Sequence, residues 1–134
     1  MIVIDASAIV AILSREPECD AMIAALERSY SAVTSPIAVY EATLGLRRKR
    51  FCSVAEAEND VLDFLVLIGA EVSPLDRKAA HDALEAFSRF GKGTQHPAQL
   101  NLGDCFAYAQ AKAFDAPLLF KGDDFTKTDI PTAV

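Results

Sequence analysis

Ile2-Val3-Ile4 is an apolar, β-branched run with no polar alternation, and it ends in a carboxylate, Asp5. Such a run reads as a strand buried on both faces, as in the middle of a parallel sheet. Ser7 is a good N-cap for the short helix that follows, Ala8 to Leu13, which fades by Ser14. Pro17 falls in the first turn of a second helix running to about Arg28, and Tyr30 to Thr34 is a short strand. Ser35-Pro36, a capping hydroxyl followed by proline at the first helical position, opens a helix that continues to Arg47-Arg48-Lys49-Arg50. Ile37, Glu41, Leu44 and Arg48 lie on one stripe of it, so Glu41 is flanked by apolar neighbours.

The second half continues the alternation. Ser53-Val54-Ala55-Glu56 is a capping box for a helix carrying Val61, Leu62, Leu65 and Ile68 on its inner side. Gly69 ends it, and Ala70-Glu71-Val72 is a brief strand. Asp76 caps a further helix through Ala80, Leu84 and Phe87 to Phe90. Residues 91–97 are the most loop-like stretch, either a connector or a lid beside a site. Asn101 caps the last clear helix, whose buried face is Leu102, Cys105, Phe106, Ala109 and Ala113. Ala116 to Phe120 is a buried strand, followed by Lys121-Gly122-Asp123-Asp124-Phe125 and a tail through Thr128-Asp129. Strands alternating with helices predict parallel βαβ units: an α/β fold, a three-layer α/β/α sandwich around a central, mostly parallel sheet.

Composition narrows the function. At 134 residues the chain is expected to be one domain spanning 1–134, with 51% hydrophobic residues and a core that needs no metal or disulfide staple. No apolar run reaches the roughly 20 residues of a membrane span, and no signal peptide precedes the first strand; the expected location is the cytoplasm. Cys19, Cys52 and Cys105 are scattered and lack CxxC spacing, and His81 and His96 have no partner nearby in sequence. Zinc and thiol chemistry are therefore not indicated. A net charge of −6 argues against bulk, sequence-blind nucleic-acid binding, yet is compatible with acids gathered in one pocket with basic residues on its rim. The Arg47 to Arg50 block reads either as a solvated helix end or as a phosphate contact.

In a parallel sheet, Asp5 and the Asp123-Asp124 pair both follow strands and emerge on one edge, where the starts of the Ser35 and Asn101 helices also lie. Asp5, Glu41, Asp104 and Asp123-Asp124 can thus converge. Asp104 also has a purely structural reading, as the acidic member of a capping box with Asn101. Packed carboxylates resist ionising unless they share a cation, and an oxygen-only donor set suits Mg²⁺ or Mn²⁺ better than zinc. The reaction class implied is metal-assisted hydrolysis of a phosphodiester.

The opening Met-Ile-Val-Ile-Asp-Ala-Ser, Ser35-Pro36 with Glu41, Asn101-Leu102-Gly103-Asp104-Cys105 and the segment Pro117 to Phe125 with Thr128-Asp129 resemble a PIN-domain ribonuclease of the VapC toxin type over essentially the full length. The resemblance implies a PIN-like fold and a Mg²⁺-dependent endoribonuclease, with Mn²⁺ able to substitute. It implies action on structured cellular RNA, transfer or ribosomal, leaving 3′-hydroxyl and 5′-phosphate ends. It further implies a homodimer neutralised by a VapB-type antitoxin. Residue by residue, Asp5 and Asp104 match the principal metal ligands and Glu41 the helical acid. Many relatives carry the fourth acid where this chain has Gly122; the Gly-Asp-Asp-Phe form makes Asp124 the first choice and Asp123 the second. Lys121, Arg47 and Arg48 are candidates for holding the RNA backbone, and Thr128 and Asp129 either support the site or are turn residues. Two rivals remain: a PIN-like binding module without activity, and another Mg²⁺-dependent phosphoryl hydrolase. Against the latter, Ser7 stands where a haloacid-dehalogenase phosphatase has its second aspartate.

Overall fold

The computed structural model describes residues 1–134. Four strands, β1 (Ile2–Ile4), β2 (Ala32–Thr34), β3 (Ala70–Val72) and β4 (Leu118–Leu119), form one sheet in the order β3-β2-β1-β4, every pairing parallel. Parallel neighbours cannot be joined by a tight turn, so helices carry the crossovers and cover the sheet. They are α1 (Ala6–Leu13), α2 (Cys19–Arg28), α3 (Pro36–Arg50), α4 (Val54–Leu67), α5 (Arg77–Phe90) and α6 (Leu102–Ala113), with a 3₁₀ turn at Asp124–Lys127.

The pleat divides the apolar strand residues between two cores. Ile2, Ile4, Ala32 and Leu119 pack with α1 to α4 on one face, and Val3, Val33 and Leu118 with α5 and α6 on the other. The chain moves outward from β1 to β2 and β3, then returns to the opposite flank as β4. The order therefore reverses at β1, and the crevice of such a sheet lies outside the strand carboxyl ends at that reversal.

Helix faces follow the alanines more than the large apolar residues. In α3 the buried face is Ala38, Ala42, Thr43 and Leu46, so the Ile37, Glu41 and Leu44 stripe lies beside it, half-buried. In α4 Phe64 takes an inward place that the sequence pattern gives to Leu62, which is exposed. In α5, Ala83, Ala86 and Phe90 face inward while Leu84 and Phe87 are turned out. Small side chains let a helix approach its neighbour closely, and that turns the bulky ones to the flank.

Residues 91–97 are a pinned connector. Lys92 N–H donates to the Leu100 carbonyl at 2.8 Å and Leu100 N–H to the Phe90 carbonyl at 2.9 Å. The His96 ring stands edge-on to Phe90, 4.9 Å between centroids, and its Nδ1 accepts from Ala98 N–H. Thr128 and Asp129 are likewise structural. Asp129 accepts from the Tyr108 hydroxyl and from Lys112 Nζ at 3.0 Å, and Thr128 Oγ1 donates to the Phe125 carbonyl. They fasten a tail whose Pro131 carbonyl accepts from Leu118 N–H beside β4. No helix is long and apolar enough to cross a membrane.

At the carboxyl edge, the buried Gln110 of α6 donates to the Thr34 carbonyl at 2.9 Å, and Thr34 Oγ1 donates to the Ile4 carbonyl at 2.8 Å. These bonds lock α6, β2 and β1 together beneath the crevice. Gln110→Leu keeps the volume and removes the donor, and should cost about 1 kcal/mol, read as a lower urea midpoint with an unchanged m value. An unchanged midpoint would show the bond to be neutral.

Candidate active site

Asp5 belongs to a strand and a helix at once. Its N–H donates to the Leu119 carbonyl at 2.9 Å, continuing the ladder, while its carbonyl accepts from Ala8 and Ile9 N–H. With no loop between β1 and α1, the N-cap is Asp5 and not Ser7. Asp5 Oδ2 accepts from the Ser7 N–H at 3.0 Å and the Ser7 hydroxyl at 2.5 Å. Asp5 is 5% exposed, and burial raises its pKa above the ordinary value, against the opposing pull of the Ser7 bonds. Ser7 Oγ also accepts from Lys121 N–H at 3.0 Å, tying the end of β1 to the segment after β4. Sequence reasoning takes Ser7 only as a cap; its signal is a hydroxyl two residues past an acid that ends a strand.

Asp104 does two things with one carboxylate. Its Oδ2 accepts from Asn101 N–H at 3.1 Å while Asn101 Oδ1 accepts from Asp104 N–H at 2.9 Å, a complete capping box. Its pKa is pushed up to about 6, by burial first and then by the charges of Asp5 and Asp124, although the Asn101 bond pulls it down. Capping and a place at the crevice coexist.

Glu41 makes no hydrogen bond or ion pair with any group of the protein. It is half-buried, and its pKa is pushed up to about 7 by burial first, then by Asp5 and Asp104. Its carboxyl lies against Gly103 of α6, where an added Cβ would overlap it. Gly103 is thus a site residue that the sequence reading holds only as part of a motif, because a close approach between α3 and α6 leaves no local trace.

Asp5, Glu41 and Asp104 line one cleft of roughly 460 Å³, with Arg48, Lys49 and Lys121 also on its walls. Asp124, exposed at the start of the 3₁₀ turn, lies outside that lining but close enough for its charge to raise the Asp104 pKa. Asp123 lies outside it too, and only its carbonyl is engaged, by Thr126. Arg47 is exposed and does not line the cleft, whereas its neighbour Arg48 does. Arg50 is occupied elsewhere, pairing with Asp60 at 2.5 Å and donating to the Leu13 carbonyl.

The donor set fits a hard divalent cation. Of the four carboxyl groups lining the cleft, Glu16 is paired with Lys49 and Lys121, while Asp5, Glu41 and Asp104 are paired with no lysine or arginine, the whole Glu41 carboxyl lacks a protein partner, and neither His nor Cys is present. A second acidic group, His81, Asp82 and Glu85 on the outer face of α5, lies outside the cleft. There Asp82 is paired with Lys78 at 2.6 Å and His81 lies 3.3 Å from Glu85, so those side chains already hold one another.

The chain matches the family model of the PIN domain over residues 2–131. It is 39% identical over 131 residues to "VapC ribonuclease Mb2780c" of Mycobacterium bovis, 98% of each chain being covered. In fold it is similar to Mycobacterium tuberculosis VapC20, described as a sarcin-ricin loop cleaving toxin. The TM-score is 0.76 at 13% identity, over 97% of this chain and 96% of that one. It is likewise similar to a chain of a toxin-antitoxin complex from Klebsiella pneumoniae, with a TM-score of 0.71 at 15% identity, over 100% and 98% of the two chains.

A carboxyl group whose pKa is higher in the folded chain than in the unfolded one stabilises the fold while protonated and loses that contribution as pH rises. For Glu41 the window runs from about 4.5, the ordinary value, to about 7. In chelated protein, the melting temperature of wild type minus that of Glu41→Gln should fall across this window. A difference independent of pH would contradict the crowding of acids described here.

Proposed function

The chain belongs to the PIN-domain family and is a VapC-type ribonuclease, and from that premise we propose that Asp5, Glu41, Asp104 and Asp124 are its catalytic and metal-holding residues. The observation that carries this reading is Glu41, a half-buried carboxyl with no protein partner, lifted to about 7 by burial first and then by the charges of Asp5 and Asp104. Such a group either takes up a proton or is neutralised by a cation bound beside it. Asp5 and Asp104 would hold the ion directly, with Glu41 beside them on the cleft wall and Asp124 acting from just outside it. Asp123 is the alternative fourth acid. The ion is Mg²⁺, with Mn²⁺ able to substitute.

The chemistry a divalent ion supplies in such a cleft is activation of water at neutral pH and neutralisation of charge on the phosphoryl group. The chain's own residues do the rest. Ser7 holds the Asp5 carboxylate in one orientation through two bonds to Oδ2. The Asn101 cap fixes Asp104 in the same way. Lys121 and Arg48, on the cleft walls, bind phosphates of the RNA strand, with Arg47 as an outer contact. The substrate proposed is a structured cellular RNA, transfer or ribosomal, cleaved to 3′-hydroxyl and 5′-phosphate ends in the cytoplasm.

Two protein partners complete the proposal. One is a VapB-type antitoxin that covers the acidic cleft, supported by the likeness in fold to a chain of a toxin-antitoxin complex. The other is a second copy of the chain. Supporting it is an exposed apolar face on α5 and α6, where Leu84 is 69%, Phe87 42% and Leu102 66% exposed. Leu84 and Phe87 border an apolar groove of roughly 440 Å³ with Phe106 and Cys105.

Protein free of antitoxin should cut total RNA into discrete fragments with Mg²⁺ and not with EDTA. Asp5→Asn and Asp104→Asn should abolish those fragments, and Ser7→Ala, which leaves the acid but frees its orientation, should lower activity about 10- to 100-fold. Fragments common to wild type and both Asn variants would refute the assignment. In light scattering, Leu84→Glu should convert a dimer to a monomer; a variant that stays dimeric would move the interface elsewhere.

A further inference from the structure

Three segments remote in sequence meet at one carboxylate on the wall of the acidic cleft. Glu16 lies in the turn between α1 and α2, and its side chain is only 12% exposed. Its two oxygens take different partners: Oε1 accepts from Lys49 Nζ near the end of α3, and Oε2 from Lys121 Nζ after β4. Glu18 adds a longer contact, Oε2 lying 3.6 Å from the same Lys121 Nζ. The two lysines hold the Glu16 carboxyl below its usual range, so it stays charged at neutral pH. All three side chains line the cleft that contains Asp5, Glu41 and Asp104.

This geometry does not exhaust the lysines. An ammonium has three donors, Glu16 takes one from each, and both side chains remain 39–49% exposed. Fixing a lysine costs rotamer freedom, and a pair fixed before the ligand arrives binds it with less of that cost. The backbone beneath Lys121 is anchored independently, through its N–H bond to Ser7 Oγ, so Glu16 governs the ammonium and not the segment.

Resting on the reading of this cleft as a ribonuclease site, we propose that Glu16 is a positioning residue. It holds the ammonium groups of Lys49 and Lys121 together as a pair that takes an RNA phosphate flanking the one cleaved. The proposal runs against simple electrostatics. Glu16 is a negative charge in a cleft already rich in them, and on charge alone its removal should improve RNA binding.

The test is binding of a fluorescein-labelled single-stranded RNA oligonucleotide to the full chain in EDTA, read by anisotropy, alongside kcat and KM with Mg²⁺. Glu16→Gln keeps the shape and removes the charge. It should weaken binding and raise KM about three- to tenfold, with kcat moving less than about twofold. Added to Lys49→Gln plus Lys121→Gln, it should change binding by less than about 1.5-fold, since the groups it positions are gone. Tighter or unchanged binding by Glu16→Gln overturns the proposal, as does an equal loss in the background that lacks both lysines. A melting temperature lowered with KM unmoved assigns Glu16 a structural role only and overturns it as well. Failure of the wild type to cut RNA would count against the ribonuclease reading instead, and the EDTA binding series decides Glu16 in either case.

Discussion

Like charges held together in a half-dry cleft are the constraint on which the rest of this structure depends. Asp5, Glu41 and Asp104 each resist ionising because water is partly excluded, and Glu41 and Asp104 do so further because Asp5 is near. The basic side chains on the walls do not relieve them: Lys49 and Lys121 are turned to Glu16 instead. A fold that keeps acids in this arrangement carries a cost that a divalent cation removes on binding, so affinity for the ion and stability of the loaded protein are linked.

What holds the acids in place is the rigidity around each of them. Asp5 is fixed by the ladder bond to Leu119 on one side and the first turn of α1 on the other. Asp104 is fixed by its own capping box, and Glu41 by a helix whose alanine face packs closely and by the bare backbone of Gly103. The strands themselves are only two or three residues long. Such short strands hold because both faces are covered, and because Thr34 and Gln110 carry hydrogen bonds across the sheet edge.

Much of this was legible in local pattern. An unbroken apolar run ending in Asp5, the Ser35-Pro36 start and the Asn101 to Asp104 box each declare an element end, and a parallel sheet brings such ends together. What local pattern could not carry depends on which way a side chain points after packing. The outward turn of Leu84 and Phe87, the place of Arg48 on the cleft beside an Arg47 that is not, and the fit of Gly103 against Glu41 all arise from contacts between elements. Ser7 lay between the two cases: its hydroxyl was visible, but the bond it accepts from Lys121 spans most of the chain.

That span has a temporal meaning. β4 pairs with β1, so the last strand to be synthesised lies beside the first, and Lys121 and Asp124 follow it. A chain still emerging from the ribosome therefore has Asp5 without the flank that completes its crevice, however well its earlier helices have formed. The crevice is therefore closed by one of the longest-range contacts in the chain, and closing it waits on the pairing of β4 with β1.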